Sequence, residues 1–290
     1  MVLIQAVIDG ILVGTTYALI GIGFTLIFGV MHKLNLSYAA ASIAGAYCGL
    51  MILAVAEAPA WIVFLMASLS GGVLGLVVYY ACFRFIPLSS PLAALMSTVG
   101  MLLLIDEVIV HTTAGMPRSY PAMFDDVMLS IGGLTLRGDL LLVGGISVAC
   151  MVLLLLLLHR TRLGLATRAV SQQPVAAQLC GIRLNRVNAQ TFVITGVLGG
   201  IAGAMVGASV GTLSPLLTGP LTVKGLIVTV IGGLGNIPGA IVAGLLVGGF
   251  ENLFQYFRGV TERDIYLMLL LFAFLIFRPG GLFGAHAGRD

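Results

Sequence analysis

The residues that could do chemistry are few. Charged side chains make up only 9% of the 290 positions, where a soluble domain carries about 25%. Lys224 and Glu251 lie inside long apolar runs, with Asp106 and Glu107 close to the end of another. Ionisable groups in such runs are functional candidates, because removing a charge from water is costly. Lys224 sits about a turn into its run, where the butyl stem can snorkel to an interface, and the sequence favours that reading. Glu251 shares a helical face with Gln255, beside Asn252. It fits a polar path and a surface pair equally well. A relay of buried carboxylates, as in proton-driven carriers, is missing.

Other chemistries find little support. His32, His111, His159 and His286 are dispersed and form no HExxH pair. Cys48, Cys82, Cys150 and Cys180 form no CxxC or Cys/His cluster, so neither a metal nor a disulfide framework is expected. The glycine-rich stretch 232–239 has no Gly-Lys-Ser/Thr ending, and Pro238 breaks GxGxxG. No cofactor is expected. A net charge of +3 is too small to point to nucleic acid.

The elements that carry these residues are written for lipid. Hydrophobic residues make up 59% of the chain, and a bilayer core takes about 20 consecutive apolar residues per helix. Apolar runs cover roughly 3–30, 38–56, 60–83, 92–110, 139–159, 188–212, 222–234, 238–256 and 264–277. The fold class is therefore an all-α integral membrane protein, a polytopic helical bundle of about eight or nine transmembrane segments. Residues 1–290 form a single membrane domain. The first run lacks a basic leader and a cleavage site, so it reads as a retained helix. Residues 232–239 read as a tight turn between two helices or a re-entrant break. Gly196, Gly200, Gly203, Gly207 and Gly211 recur at helical spacing, with shorter versions at Gly45/Gly49, Gly71/Gly75 and Gly244/Gly248. Tight helix packing accounts for them better than a sliding seam.

Topology follows from basic residues. Lys33, Arg84, Arg278 and the arginines of 160–186 fall in one set of loops. Between 160 and 186 stand Arg160, Arg162, Arg168, Arg183 and Arg186, with no acidic residue. The opposite loops hold Glu57, Asp125, Asp126, Glu262 and Asp264 among scattered arginines. The basic set is assigned to the cytoplasm. The N-terminus is then outside and the C-terminus inside, which needs an odd number of crossings. Within the basic loop, Pro174 can open a short helix and Gly181 can close it. Val175, Ala176, Ala177 and Leu179 give that helix a small apolar face suited to a groove on a partner. A loop lying on anionic lipid needs no such helix.

Several stretches taken together resemble the LivH-type permeases of branched-chain amino acid ABC importers. They are Tyr17-Ala18-Leu19-Ile20 through Met31, Ser89-Ser90-Pro91-Leu92, and Arg168-Ala169-Val170 through Gly181-Ile182. Ile231 through Ala240 and Phe277-Arg278-Pro279-Gly280-Gly281-Leu282-Phe283-Gly284 complete the set. The resemblance implies a transport subunit, not an enzyme, multi-pass in a bacterial inner membrane. The implied partners are a second related permease, two ATP-binding subunits that hydrolyse ATP, and an extracytoplasmic solute-binding protein. The loop at about 160–187 becomes the coupling element, with Arg168, Pro174, Val175, Ala176, Ala177, Leu179 and Gly181 as the ATPase contacts. Asn35, Lys224, Asn236 and Glu251 are the candidates for the translocation path. Two departures stand out. Asn35-Leu36-Ser37-Tyr38-Ala39 replaces the family's Asn-Phe-Ala-His-Gly, and Gln173-Pro174-Val175 replaces Asp-Pro-Glu. Gln is a weaker N-cap than Asp, at a cost of about 1 kcal/mol. The alternative reading is a stand-alone secondary transporter or channel for small solutes, independent of any ATPase.

Overall fold

A computed structural model describes residues 2–53, 59–86, 90–121, 128–131, 134–260, 262–278 and 280–283. Glu57, Asp125, Asp126, Ser89, Pro279, Gly284 and His286 lie outside the described residues. Each of the nine apolar runs forms a helix. These are α1 (Val2–Met31), α2 (Tyr38–Leu53), α3 (Ala60–Val78), α4 (Pro91–Thr113) and α5 (Gly138–Arg160), then α8 (Leu184–Val210), α9 (Thr218–Gly232), α10 (Ile237–Arg258) and α11 (Arg263–Phe277). Two shorter helices, α6 (Arg162–Gln172) and α7 (Pro174–Leu179), fill the basic loop. Among the described residues, seven helical stretches are long and apolar enough to span a membrane. The count of eight or nine therefore includes α2, described over 16 residues, and α11, with 15.

Helix α1 is the centre. Its most apolar window is 78% buried within the protein, against 22% for α4. The faces that α4 leaves open carry Leu92, Met96, Leu103, Leu104 and Val108, side chains suited to lipid. Glycines decide who packs on whom. A Cβ at Gly244 or Gly248 would strike the α1 backbone at Ala18 and Gly14. One at Gly196 or Gly200 would strike the α3 backbone at Gly71 and Ala67, and one at Gly203 the α2 carbonyl of Ser42. Bare glycine faces let backbones touch where no hydrophobic force drives helices together in lipid. This is the tight packing favoured from the spacing. Gly211 belongs to a different device, closing α8 at φ +75°.

The two ends of the bundle differ as the loop charges require. At one end the Lys33 ammonium donates to the Ile86 carbonyl (3.4 Å), Arg84 and Arg183 face one cavity, and Arg168 and Gly235 face another. The 232–237 stretch also lies there, as a turn that joins α9 to α10. The chain end covers it: Leu282 N–H donates to the Ile231 carbonyl (2.7 Å) and Asn236 Nδ2 to that of Phe283 (3.0 Å). At the opposite end β1 (Arg118–Ser119) pairs antiparallel with β4 (Thr212–Leu213). Burial pushes the Tyr120 phenol beside this pairing up from its ordinary value. A hairpin of β2 (Met128–Ile131) and β3 (Leu134–Arg137) precedes α5. The apolar runs give no sign of either sheet.

Candidate functional site

Two regions combine unusual chemistry with unusual exposure. The first is a buried charge cluster. α9 brings Lys224 in, α10 brings Glu251, α1 brings Tyr17 and the start of α11 brings Arg263. Lys224 Nζ donates to Glu251 Oε1 at 2.6 Å and to the Tyr17 hydroxyl at 3.1 Å. It also lies 4.9 Å from the Tyr17 ring centre. An Arg263 guanidinium nitrogen approaches the same Glu251 oxygen at 3.5 Å and donates to Gln255 Oε1 at 3.3 Å. The Lys224 side chain is 10% exposed and that of Glu251 5%. The snorkelling favoured for Lys224 is thus corrected: a partner on the next helix holds the ammonium inside. Attraction offsets desolvation only in a well-made pair, and 2.6 Å meets that condition.

This cluster forms one wall of a cavity of about 440 Å³ at the end of the bundle away from the basic loops. Asp9, Arg137 and Asp264 add charge to Lys224, Glu251 and Arg263 in its lining, and Val13, Val206 and Leu221 add apolar surface. Three acidic and three basic side chains so face one space. Three buried polar atoms of this lining have no hydrogen-bond partner among the described residues: Glu251 Oε2, Asp9 Oδ1 and Arg263 Nε. The nearest charge to that Nε is Asp264 Oδ1, at 3.7 Å.

The second region is the basic loop. α6 bends sharply off α5, since a Cβ at Gly164 would collide with Leu158. Thr161 Oγ1 caps α6, accepting from Gly164 N–H at 3.2 Å. Its buried residues Gly164, Thr167 and Val170 are three apart, so one face rests on the body. α7 opens on Pro174 without a side-chain cap from Gln173, and Gly181 at φ +84° turns the chain back. Ala177 is buried against the chain's own body, while Leu165, Val175 and Leu179 stay 62%, 67% and 86% exposed. The surface offered outward from α7 is therefore Val175, Ala176 and Leu179, not Ala177. Arg168 is exposed beside it.

The structure unites Lys224 with Glu251 and separates both from Asn35 and Asn236. Asn35 is buried near the basic end, where its Oδ1 accepts from Ser37 Oγ at 2.8 Å. Residues 32–37 are an irregular connection between α1 and α2, with Lys33, Asn35 and Ser37 all buried. Burial pulls the Lys33 ammonium down from its ordinary value. Asn236 caps α10, its Oδ1 accepting from Gly239 N–H at 3.0 Å. Reading the residues alone missed Tyr17, Asp9, Arg137, Arg263 and Asp264 as cavity residues. The last three read as loop charges, and the only signal for Arg263 and Asp264 is their place at the first turn of an apolar helix.

Comparison with known proteins agrees with this architecture. The family described as "Branched-chain amino acid transport system / permease component" matches residues 6–278. The high-affinity branched-chain amino acid transport system permease protein LivH of Salmonella typhimurium is 27% identical over 97% of this chain and 95% of its own length. BraD of Pseudomonas aeruginosa, named as the corresponding permease, is also 27% identical, over 97% and 95%. A chain of the PsaBC structure from Streptococcus pneumoniae, solved in complex with Fab, superposes with a TM-score of 0.52 and 13% identity, covering 95% of this chain and 91% of that one. That likeness concerns the fold alone. With nearly its whole length matched, the chain belongs to the family of branched-chain amino acid transport system permease components.

Proposed function

We propose that this chain is the membrane-spanning permease subunit of an ATP-driven ABC importer for branched-chain amino acids or related small solutes. It works in a bacterial inner membrane beside a second related permease. Two ATP-binding subunits dock on the basic end and carry out ATP hydrolysis, and a solute-binding protein delivers from the other side. Residues 1–290 act as one permease domain, with the loop at about 160–187 as the coupling element. Lys224 and Glu251 lie on the solute's route. Asn35 and Asn236 shape its basic end.

The observation that carries this reading is the outward face of α6 and α7. Leu165, Arg168, Val175 and Leu179 are all exposed, on a loop where Thr167, Val170 and Ala177 are buried. A rigid apolar patch at a membrane protein's soluble end calls for a protein partner.

The test is Val175→Asp combined with Leu179→Asp. Both side chains point away from the body, so membrane abundance stays normal. Burying two unpaired carboxylates in a protein groove costs several kcal/mol. Co-purifying ATPase subunits are then lost, and uptake in proteoliposomes falls to background. Normal uptake with the ATPases retained would remove the coupling role from α7. Transport by the wild-type chain without any ATPase would favour a stand-alone carrier.

A further inference from the structure

We infer that the 440 Å³ cavity between α1, α5, α8, α9, α10 and α11 is a binding station for a zwitterionic solute inside a single permease subunit. Glu251 Oε2 and Asp9 Oδ1 receive the solute's ammonium, and Arg263 its carboxylate. This deepens the importer reading and rests on it.

The unpartnered atoms carry the inference. Glu251 is 4% exposed and lies beside the Tyr17 hydroxyl; its Oε1 is taken by Lys224 and Arg263, while its Oε2 has no hydrogen-bond partner within 3.5 Å among the described residues. A buried carboxylate oxygen without a donor forfeits a charge-assisted hydrogen bond. Asp9 Oδ1 and Arg263 Nε in the same lining likewise lack a hydrogen-bond partner among the described residues, with Asp264 Oδ1 3.7 Å from that Nε. The missing groups are thus donors for the two carboxylates and an acceptor for Arg263. A lone cation would satisfy the carboxylates and leave Arg263 Nε without an acceptor. A lone anion would do the reverse. A neutral amide could bond to all three but would bring no charge to any. The wall as a whole is balanced, with Asp9, Glu251 and Asp264 against Arg137, Lys224 and Arg263. Such a wall has little net attraction for a free ion, yet its unused carboxylate and guanidinium atoms suit a molecule carrying both signs. Val13, Val206, Val210, Leu217 and Leu221 line the rest, so an aliphatic or aromatic side chain has somewhere to lie. The volume falls in the range of small-molecule pockets, about 300–1,000 Å³.

The experiment uses the full-length chain, purified from its own membrane with the subunits it retains and placed in lipid nanodiscs without the solute-binding protein. Binding of L-leucine and L-phenylalanine is measured by calorimetry against 4-methylpentanoate, which lacks the ammonium, and 3-methylbutylamine, which lacks the carboxylate. A site built on hydrogen bonds rejects an analogue that leaves its buried groups unpaired. At least one amino acid binds, and each single-charge analogue of leucine binds tenfold or more weakly than leucine where leucine is the ligand. The variants cross over. Asp9→Asn weakens the amino acid and the amine but leaves the carboxylate analogue unchanged. Arg263→Gln weakens the amino acid and the carboxylate analogue but leaves the amine unchanged. Asp9 is only partly buried and Arg263 sits at the start of α11, so both variants keep the fold, which thermal unfolding checks. Failure of both amino acids to bind, equal affinity for all three leucine-shaped probes, or variants without the crossed pattern would each overturn the station. ATP-driven uptake by the whole assembly is measured in parallel. If uptake proceeds while the nanodisc sample binds neither amino acid, the station is wrong and the importer reading stands. If no ATP-driven uptake of any solute occurs, the importer reading itself falls.

Discussion

Replacing Lys224 with Met removes the ammonium from the buried pair and keeps most of the volume of its stem. Glu251 then retains Arg263 at 3.5 Å and the neighbouring Tyr17 hydroxyl, and loses the 2.6 Å partner that closes its desolvated face. Breaking a buried pair from one side costs about 3–5 kcal/mol, because the remaining charge is left uncompensated. Side-chain exposures of 10% and 5% place this pair in that regime. The residual attraction of Arg263 moves the expectation to the lower bound, about 3 kcal/mol. The Tyr17 hydroxyl also loses its donor, which adds about 1 kcal/mol. Converting both residues, Lys224→Met with Glu251→Met, takes away the unpaired charge, and Arg263 at 31% exposure can turn to water. The double variant therefore recovers most of the loss, with a coupling of about 2–3 kcal/mol in the double-mutant cycle. Reversible unfolding in mixed micelles, followed by circular dichroism, reads all four stabilities. A single variant within about 0.5 kcal/mol of the wild type would show that water already screens the pair and would refute the reasoning.

Gly203→Leu drives a branched side chain against the Ser42 carbonyl of α2. Overpacking of this kind costs about 1–3 kcal/mol or more, so membrane abundance falls sharply; normal abundance and uptake would mean that this face meets lipid. For topology, exposed Cys180 in a Cys48→Ser background reacts with a membrane-impermeant thiol reagent only after lysis. Arg118→Cys, on the strand at the opposite end, labels in intact cells. Strong labelling of Cys180 without lysis would invert the orientation.

Much of the frame is legible in the sequence because hydropathy and turn chemistry are local. Among the described residues the nine apolar runs coincide with nine helices to within a few residues, and α11, with 15 residues, is short for a membrane. Pro174 and Gly181 bound α7 as their backbone preferences require, and α6 before it escapes notice because its amphipathic face is only three residues wide. The 232–239 break resolves into a turn between helices, with Gly233 at φ +100° and Asn236 as the cap. The β1–β4 pairing escapes because two-residue strands carry no periodicity and their partners lie far apart in the chain.

The sequence by itself determined that the solvent is lipid, where the long helices lie to within a few residues, which loops are basic, and that bare glycine faces would meet other helices. These are properties of composition and spacing, summed over neighbouring residues. Only the tertiary structure decided which groups meet. Lys224 lies 27 positions from Glu251 and 207 from Tyr17, and no local pattern encodes a contact across such spans. The same holds for Ala177, whose side chain faces the body while Val175 and Leu179 face outward. The rotation of a six-residue helix is set by what it packs on, not by its own side chains. An isolated lysine in an apolar run looks the same whether it snorkels or pairs. The difference lies in a carboxylate that packing brings to 2.6 Å, close enough for attraction to offset the loss of water.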